Sequence, residues 1–169
     1  TLLRQDNPLV FEGSQGLLLD RDIGAMPYVT RSKTGLVNVE KILGDLLSKA
    51  IVYFASRCYM TRHGAGPLRG ELAKSPVAAV DETNVHNQWQ GTLRYGAYDN
   101  QLLIWAENRA LAEINAYPDF RRVGTWADQI GPEGIPAANG GKNLMLGYFS
   151  EMYSYLSFGP TRDTIQRQS

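Results

Sequence analysis

Apolar and polar residues alternate along this chain with several periods, and the period changes at short polar segments. The run PLVF predicts a short buried strand, which the turn EGSQG ends. Within LVNVEKILGDLLSKA, the apolar residues Val39, Ile42, Leu46 and Leu47 recur at helical spacing. The next run, IVYFASRCYMT, is rich in β-branched and aromatic residues and predicts a central strand that ends at the loop RHGAGP.

The second half of the chain begins with a segment of weak periodicity. Residues 70–98 are rich in Asn, Gln, Thr and Gly, which predicts a long ordered loop of the kind that usually carries function. QLLIWAENRALAEINAY then predicts a helix with Leu103, Ala106, Ala110 and Ile114 on one face. FRRVGTWADQIGPEGIPAANGG is interpreted as a loop-rich connection, NLMLGYFSEMYS as a helix, YLSF as a last strand and GPTRD as its turn.

This succession of strands, loops and helices predicts one α/β domain with a mostly parallel sheet and flanking helices. In such sheets, ligands bind at the loops that follow the carboxyl ends of the strands. Four polar loops are expected there: EGSQG, TRHGAG, the segment ending in GTLRYG, and SFGPTR. Spacing alone therefore predicts an α/β domain with a ligand site at the ends of its strands.

Composition narrows the classes of partner and the compartment. Seventeen basic and seventeen acidic residues cancel, so no global field attracts nucleic acid or an anionic membrane. No run approaches the roughly 18 apolar residues of a membrane span, and we expect no leader of the basic-then-apolar kind. The single cysteine, Cys58, fits a reducing, cytoplasmic compartment and lies in an apolar run, as a buried structural thiol would. Because the chain opens on TLLRQDNPLVF, we expect it to be part of something longer.

Motif spacing alone identifies few candidate catalytic or metal-binding residues. GxxxxGK[ST], GxGxxG and GxSxG are absent from the sequence. Asp20 and Asp22 form a close acidic pair, but Mg²⁺ would need a third ligand. His86 has no His or Cys at metal-ligand spacing, and an isolated His63 or Arg94 is more often structural than catalytic. We therefore predict no metal-ligating residue.

Four segments carry a more specific resemblance. FEGSQGLLLDRDIGAMPYVT, at residues 11–30, closely resembles the FEGAQGxLLDxDxGTYPxVT signature of adenylosuccinate synthetases. TRHGAGPLRGEL is similar to that family's TRVGxGPFPTEL, RYGAYD to its RTGWLD, and SFGPTRDTI to its STGPDRxxT. The segments follow in the family's order. The resemblance implies that residues 1–169 form the C-terminal portion of such a fold, without the N-terminal half that holds the phosphate loop.

The family resemblance also implies an activity. These enzymes couple GTP cleavage to the joining of inosine monophosphate (IMP) and L-aspartate in purine nucleotide biosynthesis. The 6-oxygen of the purine is phosphorylated, and the amine of aspartate then displaces the phosphate. The resemblance implies GTP as co-substrate, Mg²⁺, a cytoplasmic homodimer, and no nucleic acid or membrane partner.

The same resemblance assigns residues. Gln15 would be the catalytic donor beside the purine 6-oxygen, where charge accumulates during phosphoryl transfer. Gly13 and Gly16 would let the backbone approach the base. Leu19 would pack on the nucleotide, and Thr30 would bind its 5′-phosphate. The other implied contacts are Arg62, His63 and Gly64 with the sugar, Thr92 and Arg94 with the amino acid, and Ser157, Gly159 and Pro160 with the guanine of GTP.

This chain departs from the family pattern at several positions. Ile23 replaces a histidine of the signature, and His63 replaces a valine. NQWQGTLRYG replaces the aspartate-binding GATTG and its arginine cluster, of which only Arg94 remains, and no TKxD guanine motif is present. Two alternatives therefore stay open. One is a homologue that uses a different purine nucleotide or amine donor, and the other is a non-catalytic nucleotide-binding or dimerisation module.

Overall fold

A computed structural model of the chain describes residues 8–13, 15–79, 83–138 and 142–168. The strands in these residues are β1 (Ile51–Arg57), β2 (Met60–His63), β3 (Glu71–Leu72), β4 (Leu93–Gly96), β5 (Asp119–Thr125), β6 (Ile135–Pro136), β7 (Asn143–Leu144), β8 (Tyr155–Ser157) and β9 (Ile165–Arg167). The helices are α1 (Val37–Leu43), α2 (Asn100–Ala112) and α3 (Leu146–Glu151), with 3-10 turns at Leu17–Leu19, Gly44–Lys49, Ala127–Gln129 and Arg162–Thr164. No helix in the described ranges has both the length and the apolar character needed to cross a membrane.

The main sheet confirms the predicted α/β class. Its strand order is β1-β5-β8-β9, and both the β1–β5 and β5–β8 pairs are parallel, whereas β9 runs antiparallel to β8. A second, antiparallel sheet has the order β2-β4-β3, and β6 pairs with β7. The chain passes from the main sheet to the second sheet at Cys58 and Tyr59, which are both buried.

Strand β5 corrects the prediction of a loop-rich connection, which was wrong for FRRVGT. The segment lies between β1 and β8, where a strand must be closely packed. At Gly124, a Cβ atom would lie only 2.7 Å from atoms of Leu156 and Phe149, so the glycine permits the contact. The charge of Arg122 is compensated by Glu107 at 3.0 Å. The sequence pattern did not predict this strand, because glycine and arginine are not typical of a buried strand.

Two strand predictions near the start of the chain also need correction. Residues 8–13 form no strand, and Leu9, Val10 and Phe11 are exposed because no described strand pairs with them. Residues 1–7 and Ser14, within the predicted EGSQG turn, lie outside the described residues. The run IVYFASRCYMT divides into β1 and β2, and β1 lies at the edge of the described sheet rather than at its centre.

The remaining predictions are confirmed only in part, and Ile42 and Leu46 of the first predicted helical face are exposed. The helix predicted in LVNVEKILGDLLSKA ends early, because Gly44 adopts φ +56° and a 3-10 turn follows. Two short strands, β3 and β4, lie inside the segment that was predicted to be a loop, residues 70–98. NLMLGYFSEMYS forms β7 and then α3, and YLSF forms β8, although β9 and not β8 is the last strand.

Helix α2 begins where Asp99 caps it and has its predicted apolar face. The Asp99 Oδ1 accepts a hydrogen bond from the Leu102 amide at 3.0 Å. Ala106, Ala110 and Ile114 are buried, as the periodicity predicted. Ala106 and Ala110 form one small core with Ile23, against which Leu17, Leu18 and Phe54 pack. This core fixes the leucines of the signature onto α2, and it explains structurally why position 23 is apolar here.

A larger core surrounds Phe149, which packs against Tyr98 and Tyr153 with ring centroids 5.5 and 4.6 Å away. The hydroxyls of the two tyrosines lie 2.9 Å apart, and that of Tyr153 lies 2.5 Å from Oγ of Ser56. Burial raises the pKa of both tyrosines, so the chain of hydroxyls stays neutral and hydrogen-bonded. This network joins Ser56 of β1 to Tyr153, which follows α3, and to Tyr98, which precedes α2.

Candidate nucleotide site

The first part of the candidate site is the signature loop, which we define as residues 16–35. The Leu19 amide donates to the Gly16 carbonyl at 2.9 Å, and the Thr30 amide donates to the Leu19 carbonyl at 2.8 Å. Leu19 and Thr30 are therefore joined directly, and both are half-buried. Gln15, which immediately precedes this loop, is exposed. The arrangement leaves its amide available to a ligand.

Asp20 organises the signature loop from within. Its side chain is completely buried, and its carboxylate accepts backbone hydrogen bonds from Asp22 at 2.9 Å, from Gly35 at 3.2 Å and from Thr34. Burial acts to raise the pKa of Asp20, but these amides and the charge of Lys33 outweigh it and hold the pKa below its usual value. A buried carboxylate saturated by amide donors is a structural anchor.

Asp20 also belongs to the acidic group that could hold a metal ion, together with Asp22 and Glu113. The Lys33 Nζ lies 2.6 Å from the Asp22 carboxylate and 2.7 Å from that of Glu113. An ammonium therefore already neutralises these acids, and the carboxylate of Asp20 is committed to backbone amides. The donor set does not fit Mg²⁺, which requires oxygen ligands free to coordinate it in octahedral geometry.

The second part of the site is the glycine loop, residues 61–66, where β2 ends. Arg62 donates from Nε to the Ala65 carbonyl at 2.8 Å and from Nη2 to the Tyr28 carbonyl at 2.6 Å. It therefore joins the glycine loop to the signature loop. Gly66 has φ +112°, and a Cβ atom there would lie 2.5 Å from Arg62 Nη2 and 2.6 Å from Cβ of Tyr28, so only glycine fits.

Arg94 lies directly opposite Arg62 in the antiparallel β2–β4 pair. Its Nη1 donates to the carbonyls of Gly64 at 3.0 Å and Gly66 at 2.8 Å. Its Nε and Nη2 donate to the two carboxylate oxygens of Glu71 at 2.7 and 2.6 Å. The bond to Arg94 lowers the pKa of Glu71, and the same contact raises the pKa of Arg94. The pair is thus bidentate and charged.

A tight turn at residues 87–91 lies against the glycine loop. The backbone amide and carbonyl of Asn87 and Gly91 pair reciprocally at 3.0 and 2.8 Å. The Asn87 side-chain oxygen accepts from the amides of Trp89 and Gln90 at 3.0 and 2.8 Å. The Nε2 of His63 lies 3.0 Å from the Gly91 carbonyl oxygen and must donate to it, because a carbonyl only accepts.

Thr92 follows this turn and lies beside a second imidazole. Its hydroxyl is 3.2 Å from Nδ1 of His86, and both residues are exposed. The hydrogen bonds above therefore bring Leu19, Thr30 and the residues Arg62, His63, Gly64, Thr92 and Arg94 into one connected region. The sequence had marked all seven of these residues, but it gave no role to Glu71 and considered Asp20 only as a metal ligand.

The third part is the turn after β8. Oγ of Ser157 donates to the Gly159 carbonyl at 2.8 Å, and the Phe158 amide donates to the Thr164 carbonyl at 3.0 Å. Pro160 is exposed. Since β1, β5 and β8 are parallel, this turn lies at the same edge of the main sheet as the end of β1. No hydrogen bond within the described residues joins it to the signature or glycine loops.

Comparison with known proteins decides the family. A sequence profile of adenylosuccinate synthetase matches residues 1–102, more than half of the chain. The chain belongs to the adenylosuccinate synthetase family. The adenylosuccinate synthetase of Hydrogenobaculum sp. (strain Y04AAS1) is 39% identical over 74 residues, which are 42% of this chain and 18% of that protein. That of Coxiella burnetii is 42% identical over 73 residues, 42% of this chain and 17% of the relative.

Solved structures support an adenylosuccinate synthetase fold over nearly the whole chain. The fully ligated adenylosuccinate synthetase of Plasmodium falciparum is 21% identical with a TM-score of 0.62, and the match covers 94% of this chain and 49% of that one. Cyanophage S-2L succinoaminodeoxyadenylate synthetase, solved with dGMP and with dATP as an energy donor, is 17% identical with a TM-score of 0.53 over 92% and 45%. The chain thus spans about half the length of these structures, and its alignments cover under a fifth of the two curated relatives.

Proposed function

We propose that this chain is part of a GTP-dependent ligase that acts in purine nucleotide biosynthesis. The enzyme phosphorylates the 6-oxygen of IMP, or of a related purine nucleotide, and L-aspartate then displaces the phosphate to form a C–N bond. The observation that carries the proposal is the hydrogen-bonded signature loop with an exposed Gln15 directly before it. It combines a fixed backbone with a free polar donor, which phosphoryl transfer to an oxygen requires.

In this proposal the signature loop contacts the base and phosphate of the nucleotide. The amide of Gln15 donates to the 6-oxygen as charge develops on it. Leu19 packs on the nucleotide, and the hydroxyl of Thr30 donates to its 5′-phosphate. Support comes from the open space beside Gly16, where a Cβ atom would have no neighbour within 4 Å, and from the ordinary 3.7 Å contact beside Gly13. Packing among the described residues does not demand glycine at either position, so the backbone there has room for a ligand to approach.

The other two parts of the site take the remaining substrates. The glycine loop, through Arg62, His63 and Gly64, lines the sugar, and Thr92 faces the amino acid. Ser157, Gly159 and Pro160 contact the guanine of GTP, and Mg²⁺ accompanies the phosphates of GTP, for which the acidic group around Lys33 offers no free ligand. We further propose a cytoplasmic homodimer. In this proposal Arg94, which follows Thr92 by two residues, also contacts the amino acid.

A second candidate function is the same activation step on a different purine nucleotide or with a different amine donor. The observation that favours it is the turn at residues 87–91, which is rich in amides and closed against His63. An imidazole at position 63, where the family pattern has valine, adds a hydrogen-bonding group to the lining of the sugar. A panel of purine nucleotides against amino acids distinguishes the two candidates by the preferred pair.

Substitution of Gln15 by alanine tests the proposal in the complete protein. We expect kcat to fall roughly 100-fold or more, the usual effect of removing one donor to a developing oxyanion. Gln101→Ala, which shortens an exposed glutamine on α2, is the matched control and should keep normal turnover. Circular dichroism and thermal unfolding check that both variants fold. Normal turnover in Gln15→Ala would remove the proposed role, and no turnover of any nucleotide by the wild type would favour a non-catalytic module.

A further inference from the structure

We propose that His63 is a positioning residue that ties the turn at residues 87–91 to the glycine loop, and that this tie sets the affinity of the site for the amine donor. The inference rests on the proposed function, in which the residues that follow this turn face the amino acid. It adds a role for the His63 imidazole. The proposed contacts of the glycine loop with the sugar, and of Thr92 and Arg94 with the amino acid, stay in place.

Two departures from the family pattern meet at this tie. His63 stands where the pattern has valine, and the turn lies in the segment NQWQGTLRYG, which replaces GATTG. The Nε2 of His63 lies 3.0 Å from the Gly91 carbonyl oxygen, although 28 residues separate the two in the sequence. A valine side chain has no hydrogen-bond donor, so it makes no such contact. The imidazole and the turn of this chain therefore act together.

The turn makes most of its hydrogen bonds with itself. Asn87 and Gly91 pair through their backbones, and Oδ1 of Asn87 accepts from two further backbone amides of the turn. In the part of the chain that the structure describes, every hydrogen bond that leaves residues 87–91 ends at His63. The side chain of Trp89 is 84% exposed, so its indole does not anchor the turn by packing. The turn is a closed unit that the imidazole holds against the site.

The turn lies against the part of the glycine loop that lines the sugar in the proposed function. The stem of Gln90 covers Gly64, where a Cβ atom would lie 3.9 Å from both Cβ and Cγ of Gln90. The carbonyl of Gly64 is itself fixed, because it accepts from Arg94 at 3.0 Å. The imidazole of His63 therefore holds the turn on a surface that the arginine has already fixed. The nucleotide and amino-acid parts of the site share a boundary at this contact.

The hydrogen bond assigns a role to one ring nitrogen of His63. Since the Gly91 carbonyl only accepts, Nε2 carries the proton, and this holds for the neutral and the protonated imidazole alike. The side-chain amide of Asn87 lies 3.5 Å from the same nitrogen, at the limit of a hydrogen bond, and adds little. A glutamine at position 63 carries its amide nitrogen near the place of Nε2, whereas an asparagine is too short to reach it. These two residues therefore provide a matched pair of variants.

The experiment compares His63→Gln, His63→Asn and His63→Val in the complete protein, with IMP, GTP and L-aspartate as substrates. We expect His63→Asn and His63→Val to raise KM for L-aspartate roughly fivefold, the usual effect of losing one neutral hydrogen bond. KM for IMP should stay within about twofold of the wild-type value, because the arginine bonds to the glycine loop remain. His63→Gln should keep both KM values close to normal, because its amide still donates to the Gly91 carbonyl.

The control outside the site is Gln101→Ala, at an exposed position of α2, which should leave both KM values unchanged. Thermal unfolding checks that all variants fold. A normal KM for L-aspartate in His63→Val would overturn the inference. Equal rises in KM for IMP in all three variants of His63 would also overturn it, since the imidazole would then act on the nucleotide and not through the turn.

A second measurement does not depend on turnover, so it separates this inference from the proposed function. Hydrogen exchange of the complete protein without substrates reports on the backbone amides of Asn87 and Gly91, which pair across the turn. We expect these amides to exchange roughly threefold to tenfold faster in His63→Val and His63→Asn than in the wild type or His63→Gln. If this pattern holds in a protein that shows no synthetase activity, the tie stands and the proposed function fails. Equal exchange in all four proteins would overturn the tie.

Discussion

The signature loop and the glycine loop are held by opposite chemistry. In the signature loop, one carboxylate, that of Asp20, gathers backbone amides of Asp22, Thr34 and Gly35. In the glycine loop, two guanidinium groups gather backbone carbonyls. An anion that collects donors and cations that collect acceptors reach the same result, which is a fixed main chain without regular secondary structure.

The two loops differ in exposure, and this difference decides how strongly each is held. Asp20 has no solvent-accessible surface, whereas the side chains of Arg94 and Glu71 are 28% and 45% exposed. Water and salt screen the exposed pair but not the buried carboxylate. The signature loop should therefore resist changes of solvent that loosen the glycine loop. The predictions below test that contrast and the sheet that supports both loops, in order of decreasing effect.

The largest effect is expected for Asp20→Asn. The amide cannot accept the same set of backbone hydrogen bonds, and buried N–H groups lose their partner, so the free energy of unfolding should fall by about 3 kcal/mol. Urea unfolding measures this loss in the complete protein. Asp163→Asn, at a side chain that is 86% exposed, is the control and should change stability little. A loss below about 1 kcal/mol would show that the amides do not depend on the charge.

The pH dependence of the stability difference between the wild type and Asp20→Asn follows from the sign of the pKa shift of Asp20. The pKa of Asp20 is lower in the folded protein than in the unfolded chain, so its stabilisation is present above the unfolded pKa and is lost as pH falls through the folded value. The stability difference between wild type and Asp20→Asn should therefore shrink only in the acid range, below the ordinary pKa of about 3.9 for an aspartate. A constant difference down to the lowest pH would contradict the ionised role.

An intermediate effect is expected for Gly124→Ala, which changes the scaffold and neither loop. The added methyl would meet Leu156 and Phe149 at 2.7 Å, and overpacking of this kind costs about 2 kcal/mol. Cys58 offers a reporter: burial raises the pKa of its thiol to about 12, so the native protein should not react with a thiol reagent at neutral pH. Reaction should become measurable in Gly124→Ala and stay slow in the stable Gln101→Ala variant. Equal reaction rates of Cys58 in the two variants would mean that the change in β5 does not alter the burial of Cys58, which lies between the two sheets.

The smallest effect is expected from salt. Raising the ionic strength to about 1 M shortens the screening length to about 3 Å and should weaken the exposed Arg94–Glu71 pair slightly. Tryptic cleavage after Arg69 should rise about twofold as a result. Glu71→Gln, which lacks the pair, should show no such rise. Cleavage within the signature loop, after Arg21 or Arg31, should not change with salt in either protein. An equal rise there would show that the two loops do not differ in salt sensitivity.

Sequence patterns predicted the parts of this fold in which burial follows a regular period. The face of α2 with Ala106, Ala110 and Ile114 repeats every three to four residues, and the structure buries it. Strand β5 was not predicted, because its burial depends on Gly124 and on the pairing of Arg122 with Glu107 of helix α2. Long-range pairs of this kind leave no local pattern.

The candidate site, like the fold, could be predicted from the sequence only in part. Resemblance to family motifs marked the loops and the residue types within them, since motif positions are contiguous in sequence. It did not reveal that the fork of Arg94 is filled, because Glu71 lies 23 residues earlier and meets it only through the β3–β4 pair. The roles of Gln15, Thr30 and the GTP-contacting turn stay predictions that the experiments above address.

The way the glycine loop is held has a consequence for how such a site changes over evolution. Its shape depends on main-chain carbonyls, on two glycines and on the side chains of Arg62 and Arg94. The side chain at position 63 is tied instead to the turn at residues 87–91, through the Gly91 carbonyl. Replacing His63 by valine, the residue of the family pattern, should therefore release that turn and leave the carbonyl contacts of the two arginines in place. The same property makes position 63 a natural one to randomise when altered nucleotide preference is selected in the laboratory.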